Sequence, residues 1–187
     1  MVHFRRFIWF IASKLIWICV VLGILVCTFF MCLNAADIYV IVSDGLEKRV
    51  DVILTGEDAS ELNKYFHADL LIADPALEGA LNGQSSYSDY TISDYEYSLE
   101  IEKLWSWPWD TYANVTVVER VPSITGKVHS NRKNEVSSAV PGWVGGRYEI
   151  TLVKVNGCWK INGMRQTKEI YESDTNNGGL NKEVLLQ

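Results

Sequence analysis

The sequence predicts an α+β protein: one apolar N-terminal helix, then about three helices, then about four antiparallel strands. Three observations carry this. Residues 7–33 are apolar, interrupted only by Lys14. Apolar residues between 38 and 81 recur at helical spacing, and from Ser88 onward the period changes to two.

The chain has 187 residues, 48% of them hydrophobic, with a formal net charge of −6. That length holds one domain with additions rather than two full domains. Residues 1–33 contain Arg5, Arg6 and Lys14 and no acid; the other 14 of the 17 basic residues face all 23 acids, a balance of −9. The uncharged run Leu15–Leu33 matches the roughly 20 residues needed to cross a hydrocarbon core. Basic residues precede it and acids begin at Asp37. The positive-inside bias then places residues 1–6 in the cytoplasm and residues 34–187 outside the cell membrane. The run is longer than the apolar core of a cleaved leader, about 7–15 residues, and "CLNAAD" is a poor cleavage site. Residues 7–33 are therefore read as an uncleaved signal anchor.

Cys19, Cys27 and Cys32 fall within this anchor, so the exported part holds only Cys158 and no internal disulfide. An exported domain without disulfides fits a bacterial envelope. An unpaired Cys158 could also bridge two copies.

Residues 38–54 place Tyr39, Val42, Leu46, Val50 and Ile53 at helical spacing, which predicts a helix running out of the anchor; Gly45 weakens that reading. In "TGEDASELNKYF", Thr55 and Asp58 form a variant capping box, followed by the stripe Leu62, Tyr65, Phe66 and Leu70. Asp74 as N-cap, Pro75 in the first turn and Gly83 past the end predict a short third helix carrying Ala76, Leu77, Ala80 and Leu81.

In the first strand Tyr90 and Ile92 share one parity, while Tyr95, Tyr97, Leu99 and Ile101 share the other. The phase changes near Ser93–Asp94, as a β-bulge would make it. The second strand is 112–121, with Ala113, Val115, Val117 and Val121 on one face. Asn156–Gly157 predicts a two-residue type I′ hairpin. It pairs Val155 with Cys158, Lys154 with Trp159, Leu152 with Ile161 and Ile150 with Gly163. Lys154 then reaches over Trp159, a cation–π geometry. Residues 122–146 read as a long polar loop, and residues 168–187 as a polar tail.

The segment "GRYEITLVKVNGCWKINGM", with Gly157, Trp159, Lys160 and Ile161 in a G-x-W-K-I pattern, resembles the terminal hairpin of nuclear-transport-factor-2-like (cystatin-like fold) domains. "GEDASELNKYF", Gly56 to Phe66, is similar to the helix that closes the mouth of such domains. The resemblance covers roughly residues 36–166, within an exported domain read as 34–167. It implies a cone-shaped domain, a curved sheet wrapped around helices with a conical pocket. Its members include isomerases, dehydratases, partner-binding modules and membrane-anchored envelope scaffolds. The layout of short tail, one span and exported cone also looks like the anchored assembly domains of conjugation or secretion systems. A shared fold implies function only by analogy.

Catalytic members use inward-facing acids, histidines and tyrosines. His67 falls at a helix end, as a solvated or C-capping residue, and His129 in the polar loop. Glu119 shares the parity of Val115 and Val117, which would aim it into the pocket; placement where the strand leaves the sheet is preferred. No second acid or base is placed beside it, and acid–base catalysis needs a partner or a tuned environment. No metal-ligand spacing and no Gly-rich phosphate loop is present, so no cofactor or metal is assigned. An exported part at −9 is a poor partner for nucleic acid. Asn114 opens an "NVT" sequon that lies within the second strand.

"LWSWPWD", residues 104–110, concentrates three tryptophans around Pro108. Their parity matches Tyr95 to Ile101, which anchors Trp105 in the core with Ser106 and Pro108 on the opposite face. Pro108 stops strand pairing, so Trp107 and Trp109 continue to the rim, near Trp143. The three rings either close the core or, as an aromatic rim, suit a protein or the membrane interface. The sequence thus predicts a single-pass membrane protein held by residues 7–33. Its exported domain is non-catalytic and binds another envelope protein or itself through Trp107, Trp109 and Trp143. The alternative is a small-molecule binder or lyase/isomerase using the cone and Glu119.

Overall fold

One helix dominates the structure. The computed structural model describes residues 2–171, the side chains of residues 2–8 and of residue 13 apart. Helix α1 (Val2–Thr55) is unbroken over 54 residues, about 80 Å at ~1.5 Å per residue. From Trp9 to Leu33 its large apolar side chains, Trp17, Leu25 and Phe30 among them, stand exposed. From Asn34 the burial becomes periodic: Asn34, Ile38, Val42, Leu46, Arg49, Val50 and Ile53 are buried. Steps of three and four bring these residues onto one face. Tyr39, expected in that stripe, is exposed; Ile38 takes the inner place because the sheet lies on its side of the helix. Gly45 weakens the helix locally but is needed there. A Cβ at this position would stand 2.9 Å from Tyr65 Cβ and 3.3 Å from Ile161 Cδ1.

Gly56, at φ +70°, ends α1, its N–H donating to Val52 O at 2.9 Å. The expected Thr55–Asp58 capping box does not form. The Thr55 hydroxyl donates back to Asp51 O at 2.8 Å, and Asp58 alone caps, accepting from Ser60 N–H at 2.9 Å. The element that follows is a 3₁₀ helix, Ala59–Lys64, with Leu62 buried. Phe66 is also buried, while Tyr65 and Leu70 are half-buried. Residues 65–67 are clipped to the sheet: Ile161 N–H donates to Tyr65 O and His67 N–H donates to Ile161 O, both at 2.8 Å.

A short helix that the sequence did not announce, α2 (Ala68–Ala73), follows. His67 begins it as N-cap, accepting from Asp69 N–H at 3.5 Å, rather than standing free or at a helix C-terminus. The predicted third helix is present as α3 (Pro75–Leu81), with Asp74 as N-cap and Gly83 at φ +67°. Leu77 and Ala80 are its buried residues; Ala76 and Leu81 face solvent.

Four strands form an antiparallel meander in the order β1-β2-β3-β4: β1 (Tyr90–Trp105), β2 (Tyr112–Val128), β3 (Val144–Val155) and β4 (Cys158–Tyr171). The β1–β2 register shifts between Ile92 and Asp94, where the period changes phase, and again between Glu96 and Ser98 and between Ile101 and Lys103. Strand β2 continues to Val128, well into the segment read as a loop. Pro122, the first residue of that segment, lies in the second of these shifts, where Glu96 pairs with Ser123 and Ser98 with Arg120. A proline, which has no N–H, is tolerated at such a bulge. The connecting loop shortens to 129–143.

The β3–β4 hairpin turns at Asn156 (φ 52°) and Gly157 (φ 85°). Val155↔Cys158, Lys154↔Trp159 and Leu152↔Ile161 pair as expected. A shift between Thr151 and Leu152 then moves Ile150 opposite Met164 instead of Gly163. Tyr148, Ile150, Leu152, Trp159 and Ile161 are buried against α1, each large side chain contributing about 1.5–3 kcal/mol. Lys168–Tyr171, expected in the tail, extend β4; the rest of that predicted tail, 172–187, lies outside the described residues.

Candidate functional site

Two polar constellations hang from α1. The first is built on Asn34, the residue directly after the apolar run and buried against the sheet end. Its Nδ2 donates to Ser106 Oγ at 3.1 Å and to Trp107 O at 3.3 Å. Its Oδ1 accepts from Trp159 Nε1 at 3.0 Å and from Lys154 Nζ at 3.5 Å. One amide thus ties α1 to the β1–β2 loop and to the β3–β4 hairpin. Lys154 Nζ also stands 4.9 Å from the Trp159 ring centroid, the cation–π geometry that the hairpin register demands.

The tryptophan loop sits on this hub with its rings outward. Trp105 is 58% exposed, Trp107 38%, Trp109 68% and the neighbouring Tyr112 67%. Trp105 is not in the core, and Ser106 faces inward. The register shift between Ile101 and Lys103 inverts the parity that alternation from Tyr95 would extend to Trp105. Trp105 and Trp107 meet edge to face at 5.6 Å, and Trp107 and Trp109 stack at 5.2 Å with planes 8° apart. The loop is fixed from within: Trp107 N–H donates to Asp110 Oδ2 at 2.8 Å.

Trp143 does not join this rim. It is buried, stacked on Tyr87 at 6.2 Å, and its Nε1 donates to Glu119 Oε1 at 3.2 Å. It belongs to the second constellation. Arg49 Nε and Nη2 donate to Asp74 Oδ2 and Oδ1 at 2.6 and 3.1 Å, a buried two-bond fork. Asp74 Oδ1 also accepts from Ala76 N–H at 3.0 Å and Leu77 N–H at 3.4 Å. The same carboxylate caps α3 and holds α1.

Glu119 is 0% exposed, which corrects its preferred placement where the strand leaves the sheet. β2 continues past it, and it pairs with Leu99 and Gly146. Gly146 and its neighbour Gly145 admit this close packing; a Cβ on Gly145 would stand 2.5 Å from Glu119 O. Burial raises the Glu119 pKa above the usual carboxylate range, with Arg49 and the Trp143 hydrogen bond opposing in part. Its Oε2 has no partner among the described residues, nor has the Tyr97 hydroxyl. Burial likewise pushes Tyr97 and Tyr148 up, reinforced by the Glu119 charge.

A surface cleft of about 450 Å³ is lined by Arg49, Tyr87, Trp143, Tyr148 and Gln166, but not by Glu119. Three of its polar side chains are engaged internally: Arg49 with Asp74, the Tyr87 hydroxyl donating to Gly142 O, and Gln166 Nε2 donating to Gly145 O. A second cleft, of about 480 Å³ and including Ile53, Tyr90 and the exposed His129, lies by the C-terminal end of α1. Chemically, the inner constellation can lock α1, α3 and the sheet together.

Sequence reasoning missed Asn34, Arg49 and Asp74 as a set. A signal for Arg49 existed: it stands in phase with Val42, Leu46 and Ile53 on the buried stripe, where a charge requires a partner. Comparison with known proteins finds no matching family, no matching curated protein and no matching solved structure.

Proposed function

We propose that the protein is a single-pass membrane protein. Residues 7–33 serve as its signal anchor, the N-terminus lies in the cytoplasm, and the domain from Asn34 onward is extracytoplasmic. We read that domain as a non-catalytic module of the nuclear-transport-factor-2-like kind, which assembles with another envelope protein or with a second copy. One observation carries this reading: α1 passes from its exposed apolar stretch into the domain core without a break. No linker intervenes, and Asn34 pins the junction to the β1–β2 loop and the β3–β4 hairpin of the domain. A domain fixed in height and orientation on a bilayer is suited to assembly within the membrane plane. Helices followed by a meander with three register shifts in its first pairing support the cone layout.

The topology is tested on Cys158, which is exposed at the hairpin turn. A membrane-impermeant maleimide labels it in intact cells; labelling only after lysis overturns the orientation. Crosslinking in native membranes is expected to capture a dimer or a heteromeric species; recovery of monomer alone overturns the assembly reading. The enzymatic alternative draws on Glu119, whose raised pKa suits a general acid. A co-purifying small molecule lost on Glu119→Gln substitution would favour it.

A further inference from the structure

We propose that the tryptophan loop is a second membrane contact. Trp105, Trp107 and Trp109, with Tyr112, enter the headgroup–acyl boundary of the bilayer that α1 crosses, and clamp the domain to its surface. The proposal rests on the single-pass reading and adds a lipid partner to it.

The argument begins with height. The uncharged run Leu15–Leu33 is about 28 Å long as a helix, close to the ~30 Å hydrocarbon thickness. Lys14 then marks one boundary and Asn34 the other. The loop is held at that second boundary by Asn34 itself, whose Nδ2 donates to Ser106 Oγ and Trp107 O. A backbone carbonyl 3.3 Å from the Asn34 side chain fixes the loop at the depth where the span ends. Trp and Tyr concentrate at that depth in membrane proteins because each combines a large apolar ring with one polar group.

The chemistry of the patch fits lipid. Its rings are exposed although they sit on a rigid, internally bonded loop, and Ser106, the small polar residue among them, is the one turned inward. The only acid in the loop, Asp110, accepts from Trp107 N–H. The patch therefore brings rings rather than a cluster of cations. Its insertion should not depend on anionic lipid or on salt, in keeping with an exported part whose net charge is negative.

The test uses the full chain with Trp9→Phe and Trp17→Phe, so that rings of the anchor helix do not report, in phosphatidylcholine nanodiscs. Acyl chains brominated near the glycerol are expected to cut the emission of the loop rings roughly twofold or more. The loop signal is taken as the difference from a chain that also carries Trp105→Phe, Trp107→Phe and Trp109→Phe. Adding anionic lipid or salt leaves the quenching unchanged. If those triple-Phe chains fail to fold, the intact loop is read by fluorotryptophan NMR, with doxyl-lipid broadening as the signal. Loop rings left unquenched by lipid and open to acrylamide overturn the proposal and return the patch to a protein partner. Vesicle flotation after an alkaline carbonate wash separates the two readings. A chain that does not float fails as a membrane span; one that floats with unquenched rings fails only as a clamp.

Discussion

Asn34 and Arg49 are both buried polar residues on one face of α1, about four turns apart. Asn34 is neutral; its Nδ2 is bonded into the β1–β2 loop and its Oδ1 to Lys154 and Trp159 of the β3–β4 hairpin. Arg49 is charged, and its fork to Asp74 joins two helices beside a second carboxyl, Glu119, one oxygen of which has no partner among the described residues. The difference teaches that buried polarity does two jobs along this helix. A satisfied amide sets position at little electrostatic risk. A buried ion pair locks elements together but leaves uncompensated charge when either member is lost.

Arg49→Met should break this contrast most strongly. It strands Asp74, with Glu119 nearby, and is expected to cost about 3–5 kcal/mol, read by chemical unfolding of the full chain in detergent. Asn34→Ala should cost about 1–3 kcal/mol, because Trp159 Nε1 loses its acceptor; a cost equal to that of Arg49→Met would erase the distinction between the two sites.

Glu119→Gln sharpens the comparison through pH. A folded-state pKa raised by burial means that the folded protein holds this proton more tightly than the unfolded chain does. The associated stability is therefore full below the ordinary carboxylate range and is lost as pH rises through the raised value. Unfolding free energies above about pH 4.5 should show this decline in the parent and a flatter profile in Glu119→Gln; parallel profiles would mean that Glu119 does not titrate in this range. Trp109→Ala should change stability least, by about 0.5 kcal/mol or less, because its ring packs mainly on Trp107 and is otherwise exposed. A loss near that of a core tryptophan, about 3–5 kcal/mol, would place the ring in the fold rather than on the rim.

Much of this was legible in the residues. Asp74–Pro75 and Gly83 bounded α3, and Asn156–Gly157 set the hairpin, because caps and tight turns depend on local backbone preferences. The phase change near Ser93 marked a real register shift for the same local reason. The longer extrapolations failed where a bulge intervened. One shift after Ile101 turned all three rings of the tryptophan loop outward, and another hid Pro122 within a continuing strand. Alternation carries no record of an extra residue once the flanking residues are ambiguous, as Lys103 and Leu104 are.

By itself the sequence determined the apolar helix, its charge asymmetry, the change from helical to strand period and the terminal hairpin. Each depends on residues close in the chain. Only the tertiary structure decided that Asn34 would join α1 to a distant loop and a distant hairpin, that Arg49 would find Asp74, and that Glu119 and Trp143 would bury one another. Those contacts span 24 residues or more along the chain. They form because buried polar groups must be satisfied, and which group satisfies which is set by how the sheet lies against the helix.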